Sequence, residues 1–316
     1  MSSPPAIQLD TLSKTFGRGS KAVQAVRDIS LEVPRGQVFG FLGPNGAGKT
    51  TTIRLITDLI RPSSGRAFVF GQEVTRSASA LKKVGALIEG AAFYPFMTGR
   101  ANLETMALTS GLLDSGRIGA LLEQVGLDKM PKRLLKDYST GMKQRLGLAA
   151  ALLTYPDLII LDEPTNGLDP AGMHEIRRFI RELADVHGKT VFLSSHLLHE
   201  VEQVCDQVAI INQGRIVRRG AVSELLSEGQ SEIHIQASPR DQALHVLQQQ
   251  WPAQLNPEAA EWITVSAAPA DSHRMAEMLV QHGVQVHQIV RKRRTLEEFF
   301  LAATNGTQAV QENLDA

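Results

Sequence analysis

One cysteine in 316 residues leaves nothing from which to build an internal disulfide or a multi-thiolate metal site. That residue, Cys205, falls in Val201-Glu202-Gln203-Val204-Cys205, a helix-like pattern in which packing is its expected role. Charge of one sign is also lacking. Thirty-three basic residues balance thirty-three acidic ones, so no overall field favours nucleic acid or an anionic membrane surface. No window approaches a run of eighteen apolar residues, and Met1-Ser2-Ser3-Pro4-Pro5-Ala6 lacks the charged and hydrophobic regions of a secretory signal. The expectation is a chain that stays in the cytosol and meets a membrane only through a protein partner.

What is present is an ordinary globular composition, 43% hydrophobic and 21% charged, long enough for one large domain and a smaller one. Ile7 to Leu12, Ile29 to Val33 and Ala67-Phe68-Val69-Phe70 pattern as strands, a β-rich region at the start of the chain. From Gly99 to Ala151 the period becomes helical, with helices expected near Asn102 to Thr109, Arg117 to Val125 and Met142 to Leu153. The apolar strand Leu158-Ile159-Ile160-Leu161, helix Met173 to Ala184, strand Thr190 to Leu193 and helix Leu197 to Val204 then alternate, which implies a parallel sheet. Polar Ser227-Glu228-Gly229-Gln230 marks a linker, and from about residue 231 the order of strands and helices resembles a βαββαβ unit ending in a helix over Leu296 to Ala303. Residues 304–316 read as a flexible tail.

The most specific stretch is Gly43-Pro44-Asn45-Gly46-Ala47-Gly48-Lys49-Thr50, which fits the template G-x-x-x-x-G-K-[ST]. Glycines let successive backbone N–H groups turn inward around an oxyanion, Lys49 adds a charge at the β- and γ-phosphates, and Thr50 offers a hydroxyl to Mg²⁺. Its flanks agree: Gln37 to Leu42 reads as a short buried strand and Thr51 to Ile56 as the opening of a helix. A nucleoside triphosphate is the expected ligand.

Asp162-Glu163 closes the apolar strand Leu158 to Leu161, at the strand end where ligands of α/β sheets gather beside the phosphate loop. Asp162 suits Mg²⁺, and Glu163 suits polarising the water that attacks a γ-phosphate; the bland alternative is a solvated acidic turn. Tyr138-Ser139-Thr140-Gly141-Met142 precedes a helix, so Ser139 is either a plain N-cap or part of a second anion site at a helix N-terminus.

Taken in order, these motifs resemble one family, the ATPase subunits of ATP-binding cassette (ABC) transporters, over about residues 6 to 225. The resemblance implies an α/β P-loop NTPase core with a mostly parallel sheet, a β-rich subdomain, a helical subdomain over about residues 90–155, and a small α+β C-terminal domain. On this view residues 6–226 form the nucleotide-binding domain and 231–303 an accessory domain. It further implies that two cassettes dimerise head to tail, with ATP and Mg²⁺ between the phosphate loop of one and Ser139 and Gly141 of the other. Position by position, Asn45 and Gly46 through Thr51 match the phosphate loop, Asp162 the magnesium-side carboxylate and Glu163 the general base. Asn166-Gly167-Leu168-Asp169 looks like the loop that communicates across the dimer. His196, in Ser194-Ser195-His196, stands where the family senses the γ-phosphate, and Phe16 where it stacks an aromatic ring on adenine; without the family, each reads as structural.

Two positions depart from the family pattern. Glu89 replaces a glutamine that touches Mg²⁺ and the transmembrane partner, which requires a cation or base to neutralise it. Thr140 replaces a glycine beside Ser139. The stretch Leu87 to Arg100 looks like the branch that exports antibiotics and lantibiotic or bacitracin-type peptides, and the C-terminal region resembles the accessory domain of drug-export cassettes. Arg291-Lys292-Arg293-Arg294 lacks interleaved aromatics and reads as a solvated face or the partner of an acidic neighbour. The leading expectation is an ATPase subunit at the cytoplasmic face of the membrane, driving a separate permease, with no nucleic-acid partner. The alternatives are a soluble cassette acting on nucleic acid or the ribosome, and a P-loop kinase or GTPase, which would need neither Ser139 nor His196.

Overall fold

The computed structural model describes residues 3–75, 79–90, 92–227, 232–256, 259, 261–292, 295–297, 299 and 300. The chain opens with two paired antiparallel strands, Ile7–Phe16 (β1) and Val23–Val33 (β2). Val38–Leu42 (β3), buried at every position, leads through the glycine loop into Lys49–Ile56 (α1). Ser64–Val69 (β4) and Gln72–Glu73 (β5) return to the first strands and complete an antiparallel sheet of order β2-β1-β4-β5.

Val84–Leu87 (β6) precedes three helices, Gly99–Thr109 (α2), Ser115–Gln124 (α3) and Thr140–Ala151 (α4). Their starts are chemically marked: Thr98, Asp114 and Ser139 each accept backbone N–H groups of the first turn, which removes orphan donors. The chain then alternates Leu158–Asp162 (β7), Pro170–Asp185 (α5), Thr190–Ser195 (β8), Leu198–Val204 (α6), Gln207–Asn212 (β9), Arg215–Ala221 (β10) and Val222–Ser227 (α7). The central sheet has the order β10-β9-β3-β8-β7-β6, parallel throughout except for β10 against β9.

Strands β3, β7 and β8 are buried at every position, with apolar runs Val38–Leu42, Leu158 to Leu161 and Val191 to Leu193, as parallel strands covered on both sides must be. Phe39 and Phe41 pack on Phe192 with ring centroids 5.9 and 5.5 Å apart, tying β3 to β8. Gly40 lies between the two phenylalanines because a Cβ there would meet Val201 Cγ1 at 2.7 Å and Cys205 Sγ at 3.0 Å. The apolar stripe of α5, with Ile176, Phe179, Ile180 and Leu183 buried, faces inward by its i, i+3, i+4 spacing.

Several boundaries differ from expectation. Strand β1 continues past Leu12 to Phe16, so the ring of Phe16 is carried at a strand end. Strands β6 and β9 were not anticipated. Strand β9 follows α6 after only Cys205 and Asp206, and its apolar run merges with the helical pattern before it.

The chain divides into two compact units between Val222 and Ser223, inside α7 and ahead of the start expected near residue 231. Local polarity marked the linker, whereas compactness follows packing. Residues 228–230 of that linker lie outside the described residues, as do 301–303 of the last expected helix and the whole expected tail.

The second unit runs Glu232–Ser238 (β11), Arg240–Gln248 (α8), Ala253–Leu255 (β12), Ile263–Ser266 (β13), Ser272–Gln281 (α9) and Gln285–Lys292 (β14). Its sheet is antiparallel with order β12-β13-β11-β14, the βαββαβ arrangement. Ile233, Ile235, Leu247, Ile263, Met275 and Leu279 form its own core.

Candidate active site

Strand β3 ends at the centre of the parallel sheet, and the backbone beyond it must turn sharply to start α1. Two positions in that turn accept only glycine. A Cβ on Gly43 would meet the Ile211 carbonyl oxygen at 2.3 Å, and Gly48 combines φ +107° with a 2.4 Å approach to the Ala25 carbonyl oxygen. The loop is therefore held against β9 and β2, with the N-terminus of α1 at its mouth.

Lys49, the first residue of α1, is buried, and its ammonium donates to the carbonyls of Gly43 at 2.8 Å and Pro44 at 3.3 Å. It also stands 3.1 Å from Glu163 Oε1. Thr50 Oγ1 donates to Asp162 Oδ2 at 2.8 Å, which joins the phosphate loop to the end of β7 across the sheet. The other oxygen of Asp162 accepts from Ser194 Oγ at 2.5 Å, and the same hydroxyl accepts the Glu163 N–H at 3.0 Å.

Glu163 has φ +50°, a sparsely populated conformation for a residue with a side chain. The turn brings its carboxylate between Lys49 and His196, whose Nδ1 lies 2.8 Å from Glu163 Oε2. The structure thus brings Lys49, Thr50, Asp162, Glu163 and His196 into one linked cluster at the ends of β3, β7 and β8. Ser194 belongs to it as well. In Ser194-Ser195-His196 the pattern singles out the histidine, and the repeated hydroxyl at the strand end is the signal that points to Ser194.

The remaining residues lie around this cluster or apart from it. Ser139 caps α4, its Oγ accepting the Met142 N–H at 3.3 Å, and Asp169 caps α5, accepting the Gly172 N–H at 3.2 Å. With Gly141, Arg145, Gly167 and Glu175 these two residues line a groove of about 500 Å³ that includes no phosphate-loop residue. Thr140 sits where its methyl group would be 3.5 Å from a Cβ on Gly167, so a side chain at this position is accommodated beside a residue with none.

Phe16 is 42% exposed and turns outward at the end of β1. Glu89, also at positive φ, meets Arg54 of α1 at 2.5 Å, so the neutralising base for this carboxylate is an arginine on the helix that starts in the phosphate loop. Its side chain is 58% exposed, in contrast to the buried Asp162. Arg54 was not anticipated, because the pair spans 35 residues of sequence.

A glycine loop opening onto a helix, a buried lysine, and a carboxylate pair at the neighbouring strand end define a P-loop nucleoside triphosphatase. The ABC transporter family profile matches residues 26–166. The chain is 36% identical over 304 residues to the bacitracin transport ATP-binding protein BcrA of Bacillus licheniformis, covering 95% of this chain and 97% of that protein. It is 37% identical over 211 residues to the lantibiotic transport ATP-binding protein SrtF of Streptococcus pyogenes, covering 67% of this chain and 89% of that one. Among solved structures, the ATP-binding cassette MJ0796, described as a dimer in a post-hydrolysis state bound to ADP and Pi, shares the fold with a TM-score of 0.62 at 22% identity, over 68% of this chain and 98% of its own. This chain belongs to the ABC transporter family of ATP-binding subunits. Its reaction is the hydrolysis of ATP.

Proposed function

We propose that two copies of this chain close head to tail around two ATP molecules and that their closing and reopening drive a separate membrane permease exporting a peptide antibiotic. The observation that carries the dimer is the separation of two anion-binding features within one unit. Lys49 and the phosphate loop stand at one place, while the capped N-terminus of α4 at Ser139 opens into a groove without phosphate-loop residues. A second copy would bring Ser139 and Gly141 to the phosphates held by Lys49, and Asp169 would lie at the seam.

Within each site, residues 43–51 cradle the phosphates, Phe16 stacks on the adenine, Glu163 orients and deprotonates the attacking water, and His196 holds Glu163 and reads the γ-phosphate. Thr50 Oγ1 and Asp162 Oδ2, 2.8 Å apart, form an all-oxygen donor set of the kind that hard cations take, so these two residues would hold Mg²⁺, while Glu89 is paired with Arg54. When bound, Mg²⁺ supplies charge neutralisation at the β- and γ-oxygens.

An apolar groove of about 510 Å³, lined by Leu87, Ile88, Met106, Gly147 and Ala150 among others, is the surface we assign to a helical segment of the permease. Ile88 and Gly90 flank Glu89, whose Arg54 partner leads back to the phosphate loop, so an occupant there would be linked mechanically to the nucleotide. Among the described residues no helix is long and apolar enough to cross a membrane, which is consistent with a membrane-embedded partner holding this chain at the cytoplasmic face. The names of BcrA and SrtF support a peptide antibiotic as cargo. The second unit takes a regulatory or dimer-supporting role.

Purification of the native complex should recover a polytopic membrane protein, and cells carrying Glu163→Gln should become sensitive to a bacitracin-type peptide or a lantibiotic. ATPase stimulation by nucleic acid or ribosomes, with no membrane protein recovered, would overturn the proposal.

A further inference from the structure

We infer that Lys14 is a positioning residue for nucleotide selection, holding the Phe16 ring in the orientation that stacks on the base. The inference rests on the reading of Phe16 as the adenine platform. Phe16 ends β1 and is 42% exposed, so packing alone leaves its ring free to turn about its side-chain torsions. Lys14 is two residues earlier on the same strand, and side chains at i and i+2 share a face. Its ammonium lies over the Phe16 ring, 5.2 Å from the centroid, a cation–π contact.

The ammonium is itself anchored, donating to the Arg61 carbonyl oxygen at 2.6 Å. Arg61 lies in the connection between α1 and β4, and two more bonds fasten β1 to that connection: Ser63 N–H to the Ser13 carbonyl at 2.8 Å and Thr15 N–H to Ser63 Oγ at 3.0 Å. The ring is thereby referenced, through Lys14 and residues 61–63, to the helix that begins at Lys49. A lysine occupying one face of the ring leaves the opposite face for a base. The cation draws on the π-electrons of the ring, which favours stacking against an electron-rich purine. Restricting the ring beforehand lowers the ordering cost of binding, and the gain falls on the base alone, because the phosphates are held elsewhere.

The experiment compares ATP with inorganic tripolyphosphate, which carries the phosphates without a base, in equilibrium binding to the full-length protein. Lys14→Met should weaken ATP binding by about fivefold, the order expected of one partly exposed cation–π contact. Tripolyphosphate binding should stay unchanged, and Lys14→Arg should keep ATP affinity within about twofold because a guanidinium supports the same contact. In the double variant Lys14→Met/Phe16→Ala the loss should be no greater than in Phe16→Ala alone, since Lys14 acts through the ring. Unchanged ATP affinity in Lys14→Met, parallel weakening of tripolyphosphate, or additive losses in the double variant would each overturn the role of Lys14. Full ATP affinity in Phe16→Ala would instead remove the platform reading itself, and the two failures are distinguished by that single variant.

Discussion

The Lys49 ammonium stands 3.1 Å from Glu163 Oε1, so the cation suited to phosphate and the carboxylate suited to water are paired with each other. Lys49 opens α1 and Glu163 directly follows β7, and His196 holds the second oxygen of the same carboxylate at 2.8 Å. On the proposed reading, a phosphate engaging Lys49 would also change the surroundings of Glu163.

Glu163→Gln keeps the shape of the side chain and removes its basicity. ATP binding should be retained while hydrolysis falls by about 10²–10⁴-fold, the usual contribution of a positioned base. With ATP present, gel filtration should show a dimer. A variant that binds ATP and hydrolyses it at the normal rate would remove Glu163 from the chemistry.

Ser194→Ala takes a hydroxyl from between Asp162 Oδ1 and the Glu163 N–H, leaving two polar groups short of a partner. The cost should be about 1–3 kcal/mol of stability. In a unit of this size that lowers the melting temperature by about 2–4 °C per kcal/mol. Calorimetry should show the shift, and ATPase activity should fall with it because both carboxylates lose their reference point.

Glu89→Gln should leave ATP binding within about twofold of the parent, as the pair with Arg54 is half-exposed and worth no more than about 1 kcal/mol. A fluorescent nucleotide titration reads this directly. Loss of nucleotide binding would show instead that the carboxylate is an essential ligand.

Cys205 is buried beneath β3, and burial pushes its thiol well above the ordinary cysteine range, with the Asp206 carboxylate adding to the rise. The neutral thiol is the favoured form in the folded state, so whatever stability it supplies is fully present below about pH 8.5 and fades as pH rises through the elevated value. Iodoacetamide at pH 8 should leave the native protein unmodified and label it once denaturant is added. Rapid labelling of the native protein would contradict the packing around Gly40.

What could be read along the chain was whatever is local. Gly43 to Thr50 is contiguous, and its residues need one another as neighbours; Asp162 and Glu163 announce themselves by following four apolar residues. The βαββαβ order of the second unit was legible for the same reason, since each element carries its own period. Ser194 was hidden because its role exists only where β8 lies beside β7. Arg54 was hidden because its glutamate is 35 residues away, beyond β4, β5 and β6, and Lys14 because a lysine on a strand is ordinary until its aromatic neighbour is seen.

By itself, then, the sequence determined the chemistry on offer: a loop that turns only with glycines, a lysine and a threonine at a helix start, a carboxylate pair at a strand end. Backbone conformation and periodicity depend on adjacent residues, so these follow from local order. Which groups touch was decided by the tertiary structure alone, through the strand order β10-β9-β3-β8-β7-β6 that sets Lys49, Asp162, Glu163, Ser194 and His196 together. Hydrogen bonds and ion pairs act over about 3 Å, and only the folded sheet brings residues more than a hundred positions apart within that range.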